Sequence, residues 1–420
     1  MSNPPIRQTI MQAQSMASAP DGTEIGLIIR DTGGPFGIHG DAGGRQRVSQ
    51  ITTLFDGKVL GQDDTRSWDN RGTGTYTFQQ NKVKMDATAG QYYCSQSRHA
   101  CPYFSGKSQG VEVTFDNFHS QTGVTKRVGY FSSNAVAPFD SGKDGFWIED
   151  DGTTKRLMVM NNGAEKLNLP FAEWDAVIAG IPGVADYNWK NFSVVLFDFL
   201  WLGGAVLRVF LKTANSFKLL HQFDYAGSSE DVFMQTPNQP VRYEIRSTSG
   251  TGTFRRICST AFTEGSIDEE GDALTLITGA AINCNTIGTT YAIEGIRKSA
   301  TFRDVHTDIV SFGGNVLSSS GQPDSGRFLL LLNPTLSAPL TWAANSRIEE
   351  GTATTQTISA FGRILQCAEV TGAGVSELFP NNALSILRMD MLNVADQVIL
   401  AYQPYTATQS VHGHITIKED

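Results

Sequence analysis

The sequence has 420 residues, enough for two or three domains that each bury a core. Hydrophobic residues make up 40% of the chain, which excludes a disordered polymer, and charged residues only 18%, which is typical of short strands joined by tight turns. The net charge of −9 argues against nucleic acid as the main partner, because phosphate binding requires clustered Lys and Arg side chains.

The pattern of apolar residues indicates neither a signal peptide nor a membrane span. The first residues, MSNPPIRQTIMQAQSMASAP, are too polar for a signal peptide. The most apolar run, Phe192 to Phe210, is interrupted by Asp198 and Arg208, so it falls short of the ~18 uninterrupted apolar residues that a membrane span requires. We therefore expect a protein that is made in a cytoplasm and has no membrane partner.

Residues 1–62 differ from the rest of the chain. They contain one strand candidate, Glu24 to Arg30, a short helix candidate near residues 6–17, and the Gly-rich stretch DTGGPFGIHGDAGG. Glycine at that density raises the entropic cost of ordering and leaves few side chains to pack. We predict an extended N-terminal arm that a neighbouring subunit orders.

From Asp63 onward the pattern is one strand after another. Gly110–Phe115 and Pro240–Arg246 alternate apolar and polar residues with period two, which predicts antiparallel strands with one buried face. Phe192–Trp201 is apolar on both faces, as in a central strand, and Gly203-Gly204 then predicts a tight hairpin. Further strands are predicted at 124–133, 144–149, 216–224 and 252–263. The best helix candidate in this region is Pro170–Ala179.

A second, smaller β-domain is predicted after an acidic linker at Glu264–Asp272. Its strand candidates are Phe328–Leu332, Ala383–Met389 and His414–Lys418. The predicted fold class is thus all-β: an antiparallel, jelly-roll or lectin-like β-sandwich with an N-terminal arm and a second β-domain. The predicted boundaries are 1–62 for the arm, 63–265 for the sandwich and 266–420 for the C-terminal domain.

Few residues of the sequence are candidates for metal binding, disulfide formation or phosphate binding. Cys94 and Cys101 could form a local disulfide, but buried free thiols are favoured because five scattered cysteines do not make a disulfide framework. His412 and His414 share one face of a strand without a nearby third ligand, so no metal is predicted. Gly106-Lys107-Ser108 lacks the first glycine of a phosphate-binding loop and is interpreted as a hairpin turn. We expect no cofactor and no catalytic residue.

One acidic cluster surrounds two aromatic residues. Asp144, Glu149, Asp150 and Asp151 flank Phe146 and Trp147, and paired carboxylates beside aromatic rings are typical of glycosidases. The alternative is structural, since Asp150-Asp151-Gly152 is also typical of a hairpin turn, and we favour it. A weaker prediction remains that this cluster contacts a glycan through Trp147, Asp144, Glu149 and Asp150.

Three longer strings carry a family resemblance. Residues 128–150 contain GYF followed by DGFW, residues 197–212 contain DFLWLG, and residues 231–265 contain TPNQPVRYEI. With these motifs, residues 46–310 resemble a family of structural proteins from tailed phages, and the C-terminal part resembles it loosely. The resemblance implies a non-enzymatic virion component, assembled in the host cytoplasm, with a lectin-like or jelly-roll sandwich and no catalytic residues to transfer.

Two functions are compatible with that resemblance. The first is a capsid decoration or cement protein, a homotrimer seated on the major capsid protein or other virion proteins. The second is a tail or baseplate component that binds a host-surface glycan through the sandwich. Tail fibres usually have a shaft of coiled-coil, collagen-like or β-helical repeats, and the sequence contains none. We therefore favour the decoration protein.

Overall fold

The computed structural model describes residues 16–18, 25–27, 50–133, 139–174, 187–213, 217–265, 272–302, 305–321, 324–370, 376–378 and 387–419. The protein is nearly all β, with 59% strand and 2% helix, which confirms the predicted all-β class. Within the described ranges, no helix is long and apolar enough to cross a membrane. Most of the predicted arm lies outside the described residues.

The first part of the chain forms seventeen strands that are described. They are β1 (Met16–Ser18), β2 (Ile25–Leu27), β3 (Ile51–Gly57), β4 (Trp68–Gly72), β5 (Thr75–Gln79), β6 (Lys82–Ala87), β7 (Tyr92–Ser97), β8 (Gln109–Asp116), β9 (Val124–Ser132), β10 (Asp144–Asp150), β11 (Lys155–Asn161), β12 (Ala164–Pro170), β13 (Ser193–Leu200), β14 (Val206–Lys212), β15 (Phe217–Asp224), β16 (Val241–Ser247) and β17 (Gly252–Glu264).

The second part contributes thirteen more strands among its described residues. They are β18 (Asp272–Ile277), β19 (Ile282–Cys284), β20 (Tyr291–Lys298), β21 (Thr307–Ser318), β22 (Gly326–Leu332), β23 (Thr335–Leu336), β24 (Thr341–Asn345), β25 (Ile348–Thr352), β26 (Ile358–Ala360), β27 (Arg363–Val370), β28 (Ser376–Leu378), β29 (Gln397–Pro404) and β30 (Gln409–Glu419).

Two antiparallel sheets form the first sandwich. Sheet I has the order β12-β11-β10-β9-β16-β7-β4, and sheet II has the order β15-β14-β13-β8-β17-β6-β5, with β3 also paired to β17. Their inward faces share one apolar core, in which for example the Phe146 ring of sheet I lies 5.3 Å from the Phe197 ring of sheet II. The apolar face of each alternating strand packs into this core, as the sequence predicted, but the polar face of β16 is buried as well, which the sequence did not predict.

The predicted hairpin at Gly203-Gly204 is confirmed. Strands β13 and β14 pair in antiparallel register, and β13 lies inside sheet II between β14 and β8. Gly203 has a φ of +84°, which a residue without Cβ adopts at no steric cost.

The helix candidate Pro170–Ala179 is wrong over its described part, because only Phe171–Glu173 form a single 3-10 turn after β12. The helix candidate near residues 6–17 lies outside the described residues apart from its last two, which belong to β1.

The C-terminal part forms a second sandwich with its own core. Sheet III has the order β18-β30-β21-β28, with β19 paired to β30, and sheet IV has the order β24-β25-β20-β29-β22-β27. The strand candidates Phe328–Leu332 and His414–Lys418 are confirmed within β22 and β30. The candidate Ala383–Met389 is wrong over its described end, where Met389 forms only an isolated bridge to Ala395. Asp390 explains this, because its carboxylate accepts the backbone N–H of Leu392 and Val394 and turns the chain.

That turn belongs to a segment that contacts the first sandwich. We call residues 388–396 the docking hairpin. Its Asp390 carboxylate binds Arg71 of β4 with a 2.6 Å separation between Nη2 and Oδ2, and the Met391 N–H donates to Asp69 Oδ2 at 2.9 Å. The Met391 side chain is buried with Cys94 and Phe139 of the first sandwich. The two sandwiches are therefore joined by charged, polar and apolar contacts at once.

Candidate functional site

Charged side chains converge on the outward face of sheet I. Along β9 and β16 the inward positions hold apolar residues such as Val128 and Tyr243, so Arg127, Arg242 and Glu244 project from the opposite face. In antiparallel register Glu244 lies directly opposite Arg127. Cross-strand neighbours of opposite charge stabilise a sheet, and here they begin a network that we call the charge ladder.

Glu244 is the centre of the charge ladder. Its carboxylate accepts from Lys143 Nζ at 2.9 and 3.0 Å, from Arg242 Nε at 2.7 Å and from Arg127 Nη1 at 3.1 Å. Lys143 also donates to the Phe139 carbonyl at 2.7 Å. Glu244, Lys143 and Arg242 are 5%, 3% and 1% exposed, so these interactions operate with little solvent screening.

Burial and ion pairing act in opposite directions on these charges. Burial disfavours the ionised form of Glu244, but Lys143, Arg242 and Arg127 outweigh it and hold its pKa at about 2. Burial lowers the pKa of the Lys143 ammonium, and the nearby Arg127 and Arg242 add to that effect against the attraction of Glu244. Removal of Glu244 would leave Lys143 and Arg242 without their common carboxylate as uncompensated buried charges.

The ladder continues toward the surface on the β10 side. Arg127 Nε donates to Glu149 Oε2 at 2.6 Å, and Glu149 also faces Arg156, whose guanidinium binds Asp151. The exposed fraction of the side chains rises along this path, from 7% at Glu244 to 30% at Asp151. Each group in the path is paired with the next, and the path ends near the surface at the pair of Arg156 and Asp151.

An aromatic wall lies beside the ladder. The Phe131 and Trp147 rings are 4.7 Å apart and pack with Met158. Lys143 Nζ lies 5.0 Å from the centroid of Phe131 and 5.9 Å from that of Trp147, within the range of a cation–π contact. Trp147 is 1% exposed, and its indole N–H has no acceptor among the described residues.

The predicted glycan contacts are placed in two different environments. Trp147 and Glu149 belong to the wall and the ladder, whereas Asp144 and Asp150 hold loops in place. Asp144 accepts the backbone N–H groups of three loop residues and the Gln239 side-chain amide, and burial raises its pKa. Asp150 accepts from Gly152 N at 2.8 Å in the hairpin turn. None of the four is more than 9% exposed, and their contact with a glycan stays a prediction.

The other residues selected from the sequence are buried thiols and a turn. Cys94 and Cys101 are both buried free thiols, as favoured from the sequence. Gly106 has a φ of +78° in a turn between β7 and β8. The hairpin interpretation of Gly106-Lys107-Ser108 is wrong, because β7 belongs to sheet I and β8 to sheet II, so this turn lies in a connection between the two sheets. Across the described ranges, no group of three or more His, Cys, Asp or Glu side chains is arranged to hold a metal ion.

The sequence analysis did not predict the centre of the charge ladder, although the alternation in one of its strands was visible in the sequence. The alternation at 240–246 places Arg242, Glu244 and Arg246 on one face, and the sequence analysis treated that face as solvated. Lys143, which sits in the loop before β10, carries no periodicity that could link it to Glu244, 101 residues away.

The chain resembles solved structures at low sequence identity and low TM-score. No family model and no curated protein sequence matches the chain. Solved structures that match include a Bacillus licheniformis β-glucanase, at 11% identity and a TM-score of 0.33 over 52% of this chain and 100% of that one. The Emp47p carbohydrate recognition domain matches at 9% identity and 0.35 over 52% and 98%. A carbohydrate esterase from bacteriophage phi24B matches at 12% identity and 0.33 over 52% and 100%. At these values the matches carry no argument about function.

Proposed function

We propose that this chain is a non-enzymatic structural protein of a tailed-phage particle and that it decorates the capsid. The motifs in residues 128–150, 197–212 and 231–265 support the family. The decoration role follows from two β-sandwiches joined through the docking hairpin, without the repeats that would build a shaft. Its partners in this role are the major capsid protein and further copies of itself.

The observation that carries the proposal is the internal pairing of the charge ladder. Binding and catalytic sites keep polar groups available for a ligand, whereas the Glu244 carboxylate is occupied by Arg127 and Lys143 of the same chain. The outward face of sheet I continues to the Asp69–Arg71–Asp390 contact between the sandwiches. The buried charges thus bind within the chain, which supports a structural role over a binding or catalytic one.

Location and copy number on the particle test this proposal. We expect immunogold label on the head and hundreds of copies per particle by quantitative gel densitometry, because a decoration protein occupies repeated lattice positions. Label on the tail with a few tens of copies or fewer would contradict the decoration role and leave the structural assignment standing. Loss of label from purified particles would contradict both.

A homotrimer is the expected oligomer in solution. A stable contact with a capsid requires on the order of 1,600 Å² of buried surface, which a single subunit reaches with difficulty. Three linked subunits multiply a modest contact through avidity and match a three-fold lattice axis. Mass measurement by light scattering checks this, and a monomer at the concentration of assembly would contradict it.

The second candidate is a tail component whose sandwich binds a host-surface glycan. The rim of the charge ladder favours it, because Arg156 and Asp151 are partly exposed near the aromatic wall. Host polysaccharide that binds the protein, and binds less after Arg156→Ala, would support this candidate over decoration.

A further inference from the structure

Two histidines from different sandwiches meet at the junction. His99 follows β7 of the first sandwich and His306 precedes β21 of the second. Their rings form an edge-to-face pair with centroids 5.7 Å apart. Neutral imidazoles tolerate this contact, but two imidazolium ions at that distance would repel each other.

Two cationic side chains of the second sandwich act on His99. Lys298 at the end of β20 and Arg388 of the docking hairpin both act electrostatically on His99. Two carboxylates of the described residues lie at the junction: Asp308, whose Oδ1 lies 3.2 Å from His306 Nε2, and Asp56, which is paired to Lys58. Asp308 can balance a charged His306, and no comparable carboxylate pairs with His99 among the described residues.

A cleft at the junction gives solvent a route to His99. The cleft has a volume of about 220 Å³ and is lined by Leu54, Phe55, Asp56, Ser67, His99 and Arg388. Arg388 Nη1 donates to the Arg66 carbonyl at 2.8 Å across the same cleft, so the lining residues belong to both sandwiches. A proton that reaches His99 therefore acts where the two halves are held together.

We propose that the junction between the two sandwiches is an acid-sensitive latch in which protonation of His99 releases the docking hairpin. Burial, followed by the charges of His306, Lys298 and Arg388, holds the pKa of His99 well below its usual 6.5. The opened junction binds a proton near the usual pKa and the closed junction does not, so closure is complete above pH 6.5 and weakens as the pH falls below it. For one proton, the ratio of closed to open junction starts to fall near pH 6.5 and falls by about tenfold per pH unit well below it.

Release would uncover an apolar surface. Met391 leaves its place beside Cys94 and Phe139, and the already exposed Leu392 and Val394 extend the freed hairpin. The Arg71–Asp390 contact is lost in the same movement. The inference is independent of a role on a phage particle, because it rests on contacts within one chain.

Residue-resolved hydrogen exchange of the full chain tests the latch between pH 7.5 and 5.0, above the ordinary pKa of carboxylates. The Met391 N–H bonds across the junction to Asp69, whereas the Val394 N–H bonds within the hairpin to Asp390. We expect protection at Met391, corrected for the chemical exchange rate, to fall about tenfold from pH 7.5 to 5.5. Protection at Val394 should fall less, because the hairpin itself stays formed.

Histidine variants separate this mechanism from general acid loosening. His99→Gln should keep protection at Met391 constant within about twofold over the same range. His412→Gln, in the exposed part of β30, is the matched control and should respond like the wild type. If His99→Gln exposes Met391 already at pH 7.5, His99→Phe, which keeps a ring against His306, takes its place. Constant protection in the wild type, or an equal fall in the His99 variant, would overturn the proposal.

Discussion

Glu244→Gln is expected to destabilise the first sandwich by about 3–5 kcal/mol, the usual cost of removing one partner from a buried ion cluster. The amide keeps the shape of the side chain but leaves Lys143 and Arg242, both nearly fully buried, without their common carboxylate. Urea unfolding followed by tryptophan fluorescence measures the effect, because five of the six tryptophans lie in the first sandwich. Lys143→Met in the same chain should recover part of the loss, since it removes one of the stranded charges.

Glu230→Gln is the matched control. Glu230 is exposed, so the same chemical change there should alter the free energy of unfolding by less than about 0.5 kcal/mol. The wild-type contribution of Glu244 should be complete above its usual pKa of about 4.5 and disappear as the pH falls toward 2, because its folded-state pKa is lowered. Equal effects of Glu244→Gln and Glu230→Gln would show that the ladder contributes nothing to stability.

The strands of the first sandwich could be predicted because their signals are local. Alternation at 110–115 and 240–246 and the glycine pair at 203–204 specify strands and a hairpin within a dozen residues. The candidate Ala383–Met389 failed at its described end because an apolar run alone does not show that Asp390 turns the chain. Whether an apolar run pairs in a sheet depends on neighbours far away in sequence.

The site was harder to predict than the fold for the same reason. Trp147 and Glu149 were selected because aromatic and acidic residues are adjacent in sequence, but their actual partners come from elsewhere: Arg127 from β9 and Lys143 from a loop. Sequence adjacency also grouped Asp144 with Glu149. Successive residues of a strand point to opposite faces, so two residues five positions apart are not neighbours on one face, and Asp144 instead anchors loop residues. Charge pairing across strands requires the register, which the sequence alone does not give.

Glu294→Gln is expected to stabilise the second sandwich, with a gain that grows with pH. Glu294 is 2% exposed in β20, and its carboxylate accepts one weak bond, from the Gly295 N–H at 3.3 Å. Burial, together with the negative charge of Glu350, raises its pKa to about 8. The folded state therefore holds a proton between pH 4.5 and 8 that the unfolded state releases, and stability falls as the pH rises through that window.

The glutamine variant removes that penalty. At pH 5 the variant and the wild type should have similar stability, and at pH 9 the variant should be more stable by on the order of 5 kcal/mol, given about 1.4 kcal/mol for each tenfold change in ionisation between the pKa values of 4.5 and about 8. Calorimetric melting at a series of pH values measures the difference, and hydrogen exchange in β20 assigns it to the second sandwich. The control is Glu349→Gln, which removes a partly exposed pair with Arg297 and should cost at most about 1 kcal/mol without growing between pH 5 and 9. A gain that is independent of pH would mean that the packing of the amide, and not the ionisation of Glu294, determines the result.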